Sequence, residues 1–270
     1  MPELPEIETI RRGIAPEVEG RRIVAVDVRE RRLRTPIARD FADRLAGRHV
    51  VQFDRHGKFL LGHLDDGRLW LVHLGMSGQL TLADGPVPAR THDHVVVRFE
   101  GDRTLTYNDP RRFGRLAVID AAAVAAEAGG GVDALSPALD AGLLFALTRR
   151  RRTSIKALLM DQRRIAGLGN IYVSERLFRA GVRPRRAAGR LSRAECARIV
   201  AATAHVLAEA VRLGGSSIND YRDGFGRYGC FQSVHQVYDR AGEACRRCGT
   251  TVRGVVVVGR STFWCPTCQR

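Results

Sequence analysis

Four cysteines near the end of the chain constrain its fold more than any other feature. Cys245 and Cys248 are followed, sixteen residues on, by Cys265 and Cys268. Two C-x2-C pairs at this separation have the spacing of a four-thiolate zinc site. Each pair turns both sulfurs toward one tetrahedral ion while the intervening chain goes out and returns. That chain, "TVRGVVVVGRSTFW", reads as a β-hairpin carried by the metal. A segment this short builds no core of its own, so zinc binding is expected to supply its folding energy. One structural Zn2+ per subunit is expected, and no small-molecule cofactor. Disulfides suit a secreted chain, and the N-terminus lacks the basic-then-apolar pattern of a signal peptide. Cys196, in a helical stretch, and Cys230, beside Phe231, read as packing.

Upstream of the cysteines the chain changes period once. Residues 23–119 carry short apolar bursts such as "RIVAVDV", "KFLLGHL", "RLWLVHL" and "HVVVRF", punctuated by Gly, Asp and Pro. This is the pattern of a β-sandwich or barrel. A short helix is expected over residues 5–13 and another near Ala121. "LTRRRRTSIK" reads as a basic hinge, and residues 155–214 are helical in period. In the last helix Ser192 and Glu195 occupy capping-box positions, with Gly214 and Gly215 as the stop. The class is therefore α+β.

The charge balance narrows the partner. The chain holds 44 Lys plus Arg against 29 Asp plus Glu, a net +15. A phosphate backbone rewards many basic contacts through counterion release, so nucleic acid is the expected partner. No apolar run is long enough to span a bilayer, so no membrane partner and a cytoplasmic location are expected.

Candidate chemistry begins at the first residues, "MPELPEIE". Pro5, Glu6 and Glu8 suit a first helical turn. Pro2 and Glu3 are left over. Removal of Met1 would leave Pro2 as a free secondary amine, and an α-amino group has a pKa near ~8 against ~10.4 for lysine. A secondary amine condensing with an aldehyde gives a cationic iminium without taking up a further proton.

Other motifs have plain alternatives beside them. Met76 in "HLGMSGQL" could be core filler, but its flanking glycines suggest a loop tip. Arg111, Arg112 and Phe113 in "NDPRRFGR" sit between Asp-Pro and Gly, where an apolar wedge beside an arginine suits filling the place of an extruded base. Packing is the alternative for Phe113. "GLGNIYVSE" lacks the third glycine and preceding strand of a nucleotide fingerprint. It leaves a helix N-terminus at Asn170, which is either a phosphate site or a mere cap. Lys58 opens a strand and Arg260 lies in the zinc hairpin. His73 and His92 are lone histidines without metal-ligand spacing.

Taken in order, "PELPEIE", "GKFLL", "HLGMSG", "DPRRFG", "GLGNIYVSE" and "GRSTFWC" resemble the formamidopyrimidine-DNA glycosylase family along the whole chain. The resemblance implies an N-terminal catalytic β-sandwich domain (1–135), a basic hinge (136–152), a helix-two-turn-helix domain (153–235) and a zinc finger (236–270). It implies a monomeric bacterial glycosylase and abasic-site lyase acting on damaged double-stranded DNA. Its catalytic residues would be Pro2 as nucleophile, Glu3 for acid/base work, and Lys58 and Arg260. Its DNA-binding residues would be His73, Met76, His92, Arg111, Phe113, Arg151 and Asn170, with Glu6 in the lesion pocket. Phe225 and Cys230 stand where more polar or tyrosine-like residues are expected. Two rivals remain: a sister glycosylase for oxidised pyrimidines, and a non-catalytic zinc-ribbon DNA-binding regulator, in which Pro2, Glu3 and Lys58 would be idle.

Overall fold

The computed structural model describes residues 1–218 and 220–270. They form two compact units, one of residues 1–128 with 213–230, the other of residues 129–212 with 231–270. The first begins with α1 (Leu4–Val18), whose Ile7, Ile10, Ile14 and Val18 recur at helical spacing and are all buried. Each such side chain gives about 1.5–3 kcal/mol on burial. Then come β1 (Ile23–Val28), α2 (Phe41–Leu45), β2 (Val50–His56), β3 (Phe59–Leu64), β4 (Arg68–His73), β5 (Gln79–Asp84), β6 (Asp93–Phe99), β7 (Arg103–Asn108), β8 (Arg115–Asp120) and α3 (Val124–Ala128).

The strands make two antiparallel sheets, ordered β2-β3-β4-β8 and β1-β6-β7-β5. Alternate residues of both sheets, among them Phe53, Trp70, Val97, Leu105 and Tyr107, join α1 in one core. That is the expected sandwich, and period-two burial is why short bursts sufficed to reveal it. The register then collects its turns. In one sheet Phe59 pairs with His73 and His73 with Arg115. In the other, Asn108 pairs with both Gln79 and Asp93. The connections at 57–58, 74–78 and 109–114, and His92 just before β6, therefore share one end of the sandwich.

The second unit holds β9 (Val132–Asp133), α4 (Ala141–Thr148), α5 (Ile155–Met160), β10 (Ile165–Ala166), α6 (Asn170–Ala180), α7 (Arg193–Arg212), β11 (Arg253–Val257) and β12 (Arg260–Trp264). α7 starts at the expected capping box, with Ser192 N–H donating to Glu195 at 2.9 Å and Glu195 N–H to Ser192 Oγ at 3.2 Å. The last two strands are the expected hairpin.

The compact units and elements depart from the expected domain bounds at two places. The stretch 136–152, expected as a hinge, contains α4, capped by Asp140, which accepts from Leu143 N–H at 2.6 Å. The helix starts at Ala141, and its apolar residues Leu143 and Leu144 were obscured by the arginines that follow. The block 153–235 is also divided: residues 213–230 pack with the first unit, where Leu82 N–H donates to Gly224 C=O and Ser216 N–H to Glu6. No helix among the described residues is long and apolar enough to cross a membrane.

Candidate active site and nucleic-acid interface

Pro2 and Glu3 are buried, and Glu3 is the N-cap of α1. Its N–H donates to Glu6 at 2.7 Å, one half of a capping box. The other Glu6 oxygen accepts from Ser216 N–H at 2.7 Å. Gly215 permits that approach: its φ is +81°, and a Cβ there would lie 2.7 Å from the Glu6 carboxylate. The Tyr221 hydroxyl adds a hydrogen bond to the Glu6 carbonyl at 3.3 Å. Glu6 thus fastens the segment 213–221 to the helix start.

Lys58 is the second residue of a two-residue hairpin turn, and the strand proper begins one residue later than expected, at Phe59. Gly57 supplies the positive φ (+57°) that such a turn needs at its first position. The turn is braced from α1. Glu8 lies 3.2 Å from Arg55, whose guanidinium also donates to Gly57 C=O at 3.0 Å. Burial pushes the Glu8 carboxyl up, but hydrogen bonds from Arg11 and Arg12 and the charge of Arg55 hold it at about 2. Lys58 itself is buried.

These groups share one electrostatic neighbourhood with the chain's amino end. Burial lowers the pKa of the Met1 amine, the Glu3 and Glu6 carboxylates oppose that, and Lys58 lowers it further. An amine so placed keeps a larger neutral fraction near pH 7 than one in water.

The wedge candidates stand on two turns built against each other. Met76 and Phe113 are both exposed, at 42% and 41%, although each belongs to a large apolar type. Neither belongs to the buried core of the sandwich. Arg111 lies over the Phe113 ring, 4.8 Å from its centroid. Gly75, at φ +60°, lies so near the Phe113 backbone that a Cβ would meet it at 2.4 Å. Under both turns lies Asp109, fully buried. One of its oxygens accepts from Ser77 Oγ at 2.7 Å, the other from the Tyr107 hydroxyl at 2.9 Å and Gly114 N–H at 2.8 Å. Arg112 is held at φ +56°, a conformation costly for a side-chain-bearing residue. Asp109, Ser77 and Tyr107 are structural determinants of the site that sequence reasoning missed. Their only local signal is the Asp-Pro step.

His73 stacks on Phe59, with ring centroids 4.6 Å apart, and its Nδ1 accepts from Gly75 N–H at 3.2 Å. Burial first, then the charges of Lys58, Arg115 and Arg34, bring its pKa down to about 4. The ring is neutral at physiological pH, with Nε2–H as its donor. His92 is exposed in a left-handed conformation at φ +71°. Phe225, one of the two departures, lays its ring against Gly13 of α1, and Cys230 closes its segment through a bridge to Ser216.

In the second unit Asn170 is the first residue of α6, after Gly169 as N-cap. Its Oδ1 is buried without a hydrogen-bond partner. Gln162 braces the preceding turn, donating to Leu168 C=O at 2.7 Å and accepting from Gly167 N–H at 3.0 Å. Arg151 is exposed after α4. Arg260 begins β12, directly after a turn whose Val258 and Gly259 both have positive φ.

The four cysteine sulfurs lie within 4.8 Å of one another, with Cys248 and Cys265 at 3.5 Å and Cys245 and Cys268 at 4.0 Å. Four thiolates about 2.3 Å from one tetrahedral zinc stand roughly 3.8 Å apart, so the residues fit the ion. The module also leans on its own unit. Phe178 of α6 packs with Cys245, Val252 and Cys265, and buried Lys156 donates to Ser261 C=O at 2.8 Å and Thr262 Oγ1 at 2.7 Å. Buried Glu175 accepts the backbone N–H groups of Gln236, Val237 and Tyr238.

Comparison with known proteins agrees along the whole chain. The family model described as formamidopyrimidine-DNA glycosylase N-terminal domain matches residues 1–116, the H2TH domain of the same glycosylase matches 131–222, and the zinc finger found in FPG and IleRS matches 242–270. The formamidopyrimidine-DNA glycosylases of Thioalkalivibrio sulfidiphilus and Thiobacillus denitrificans are 47% and 48% identical, each over 100% of both chains. Among solved structures, the MutM (Fpg) protein of Thermus thermophilus is 40% identical with a TM-score of 0.88, covering 99% of this chain and 98% of that one. The Lactococcus lactis Fpg in complex with abasic-site DNA is 32% identical with a TM-score of 0.90, covering 99% of each chain.

Proposed function

The chain belongs to the formamidopyrimidine-DNA glycosylase family, and on that premise we propose that its Pro2 nitrogen, exposed once Met1 is removed, is the nucleophile of its reaction. The protein is a DNA glycosylase and abasic-site lyase that removes oxidised purines from damaged double-stranded DNA in base-excision repair. One structural zinc ion belongs to its four-cysteine module. Its place of work is the bacterial cytoplasm.

The Pro2 nitrogen bonds to C1′ of the extruded nucleotide as the glycosidic bond breaks, and the base leaves with a proton. Opening of the sugar ring turns the adduct into an iminium. This cation draws electrons from the sugar, so loss of a C2′ proton expels the 3′ phosphate, and a second elimination expels the 5′ phosphate. Glu3 serves these proton transfers. Lys58 contacts phosphate and donates a proton, and Arg260 assists the second elimination. Met76 and Phe113 fill the gap in the duplex while Arg111 faces the orphaned cytosine. His73, as a neutral donor, with His92, Arg151 and Asn170, holds the backbone. Glu6 lines the lesion pocket.

The observation that carries this reading is geometric: Pro2 and Glu3 are buried at the start of α1, Glu3 N–H is bonded to Glu6 at 2.7 Å, and the same helix braces the turn of buried Lys58 through Glu8 and Arg55. Its test is excision from duplexes holding 8-oxoguanine or an oxidised pyrimidine. Oxidised purine should be released faster, and Glu3→Gln should lose base release while still nicking a preformed abasic site. Faster release of the pyrimidine would overturn the assignment.

A further inference from the structure

One stripe of α1 is covered by chain from much later in the sequence. Glu6, Ile10, Gly13 and Ile14 recur at i, i+4, i+7 and i+8, so they line one face of the helix. Residues 215, 216, 221, 224 and 225 lie along it. Ser216 N–H donates to the Glu6 carboxylate at 2.7 Å, and the Tyr221 hydroxyl to the Glu6 carbonyl at 3.3 Å. A Cβ at Gly224 would stand 2.9 Å from Ile14 Cγ1 and 3.8 Å from the Ile10 carbonyl. At Gly13 a Cβ would stand 3.0 Å from Phe225 Cε2. One end of this strap therefore holds Glu6, and the other is a ring seated on a glycine.

The ring is clamped from several sides. Glycine weakens a helix interior relative to alanine, and at Gly13 the missing side chain is the room that Phe225 occupies. Phe225 still keeps 47% of its surface exposed, so burial alone does not account for its seat. Arg227 lies over the ring, 5.2 Å from its centroid. Asp223 fixes the turn between them, accepting from Phe225 N–H and Arg227 N–H at 2.9 Å each and from Arg227 Nε at 2.8 Å. Leu82 N–H donates to Gly224 C=O at 2.7 Å and ties the same turn to β5.

Glu6 links the strap to the chemistry. One of its oxygens accepts from Ser216 N–H and the other from Glu3 N–H, both at 2.7 Å, so its carboxylate bridges the strap and the first turn of α1. The turn of Lys58 is braced separately, through Glu8 and Arg55.

We propose that Phe225, seated on Gly13, is a positioning residue for base release. It keeps the strap on α1 and, through Ser216, keeps the Glu6 carboxylate fixed in the lesion pocket. This rests on the reading of Glu6 as a lesion-pocket residue of a glycosylase. A preformed abasic site presents no base to that pocket, so its cleavage does not need the strap.

The test compares the full zinc-loaded protein with its variants in single turnovers on short duplexes. One duplex carries 8-oxoguanine opposite cytosine, the other a preformed abasic site. Phe225→Ala should release 8-oxoguanine at least about tenfold more slowly, yet cleave the abasic site within about twofold of the unsubstituted rate. Phe225→Leu, which keeps apolar bulk on Gly13, should recover most of the loss. Gly13→Ala, whose methyl contends with the ring, should slow release by itself and add no further loss to Phe225→Ala. Hydrogen exchange of the free proteins reads the strap directly. The Ser216 amide should exchange at least about tenfold faster in Phe225→Ala, while the amides of β4 keep their protection. An equal loss on both duplexes, unaltered release, or unaltered Ser216 protection would each overturn the proposal. An unsubstituted protein that released no 8-oxoguanine would overturn the enzymatic reading alone, because the exchange measurement still decides whether Phe225 holds the strap.

Discussion

Ser77 donates a 2.7 Å hydrogen bond to Asp109 and thereby ties the turn bearing Met76 to the turn bearing Arg111 and Phe113. Asp109 accepts from the Tyr107 hydroxyl and Gly114 N–H as well, with no exposure to water. Asp109→Asn would set an amide donor against groups that already donate. It should cost on the order of 3 kcal/mol and slow excision from duplex, whereas Ser77→Ala should cost about 1 kcal/mol. Urea unfolding and single-turnover excision check both, and an Asp109→Asn protein of full stability would refute the role.

Arg111 and Phe113 separate reading the partner base from filling the gap. A bidentate contact discriminates by ~1–3 kcal/mol, about tenfold to a hundredfold between opposing bases. Arg111→Ala should flatten the preference for cytosine over adenine opposite the lesion, and Phe113→Ala should slow excision from duplex. Both variants should recover on substrates whose target is already unpaired. Arg111→Ala with its cytosine preference intact would make Arg111 a phosphate contact only.

The site was legible in the sequence where its determinants are local. Paired cysteines, alternating strands and the Ser192–Glu195 box each announce themselves within a few residues. What was hidden joins distant parts of the chain: Ser77 with Asp109, Glu6 with Ser216, Glu175 with the backbone of Gln236 to Tyr238. No periodicity reports such pairs. Residues 213–230 follow the helical stretch yet pack with the first unit, because Glu6 and the Gly215 backbone hold them there.

Glu8 makes the brace of the Lys58 turn sensitive to acid. Its carboxyl is held at about 2 in the fold, below the usual 4.5. A depressed carboxyl contributes stability that is complete above its unfolded pKa and lost as pH falls toward the folded one. Glu8→Gln should therefore destabilise the protein by on the order of 3 kcal/mol at pH 7. That gap should hold down to about pH 5 and narrow below 4.5. Denaturant midpoints across this range decide it, and a gap independent of pH would show that Glu8 acts by packing alone.

Zinc removal should act on the second unit. Chelation or Cys248→Ser should loosen the hairpin, misplace Arg260 and weaken DNA binding, while the first unit keeps its fold. The Lys156 and Phe178 contacts should leave part of the module protected from hydrogen exchange. Unaltered DNA affinity after verified metal loss would show the module to be dispensable.

The central claim is that the nitrogen of Pro2 attacks the lesion nucleotide. Borohydride reduction during reaction with 8-oxoguanine opposite cytosine, followed by peptide mass mapping, tests it most directly. The account predicts a covalent DNA adduct on Pro2 in protein lacking Met1, and none in protein that retains Met1 or is acetylated at its amino end. An equal adduct in protein retaining Met1, or an adduct mapped to Lys58, would contradict it.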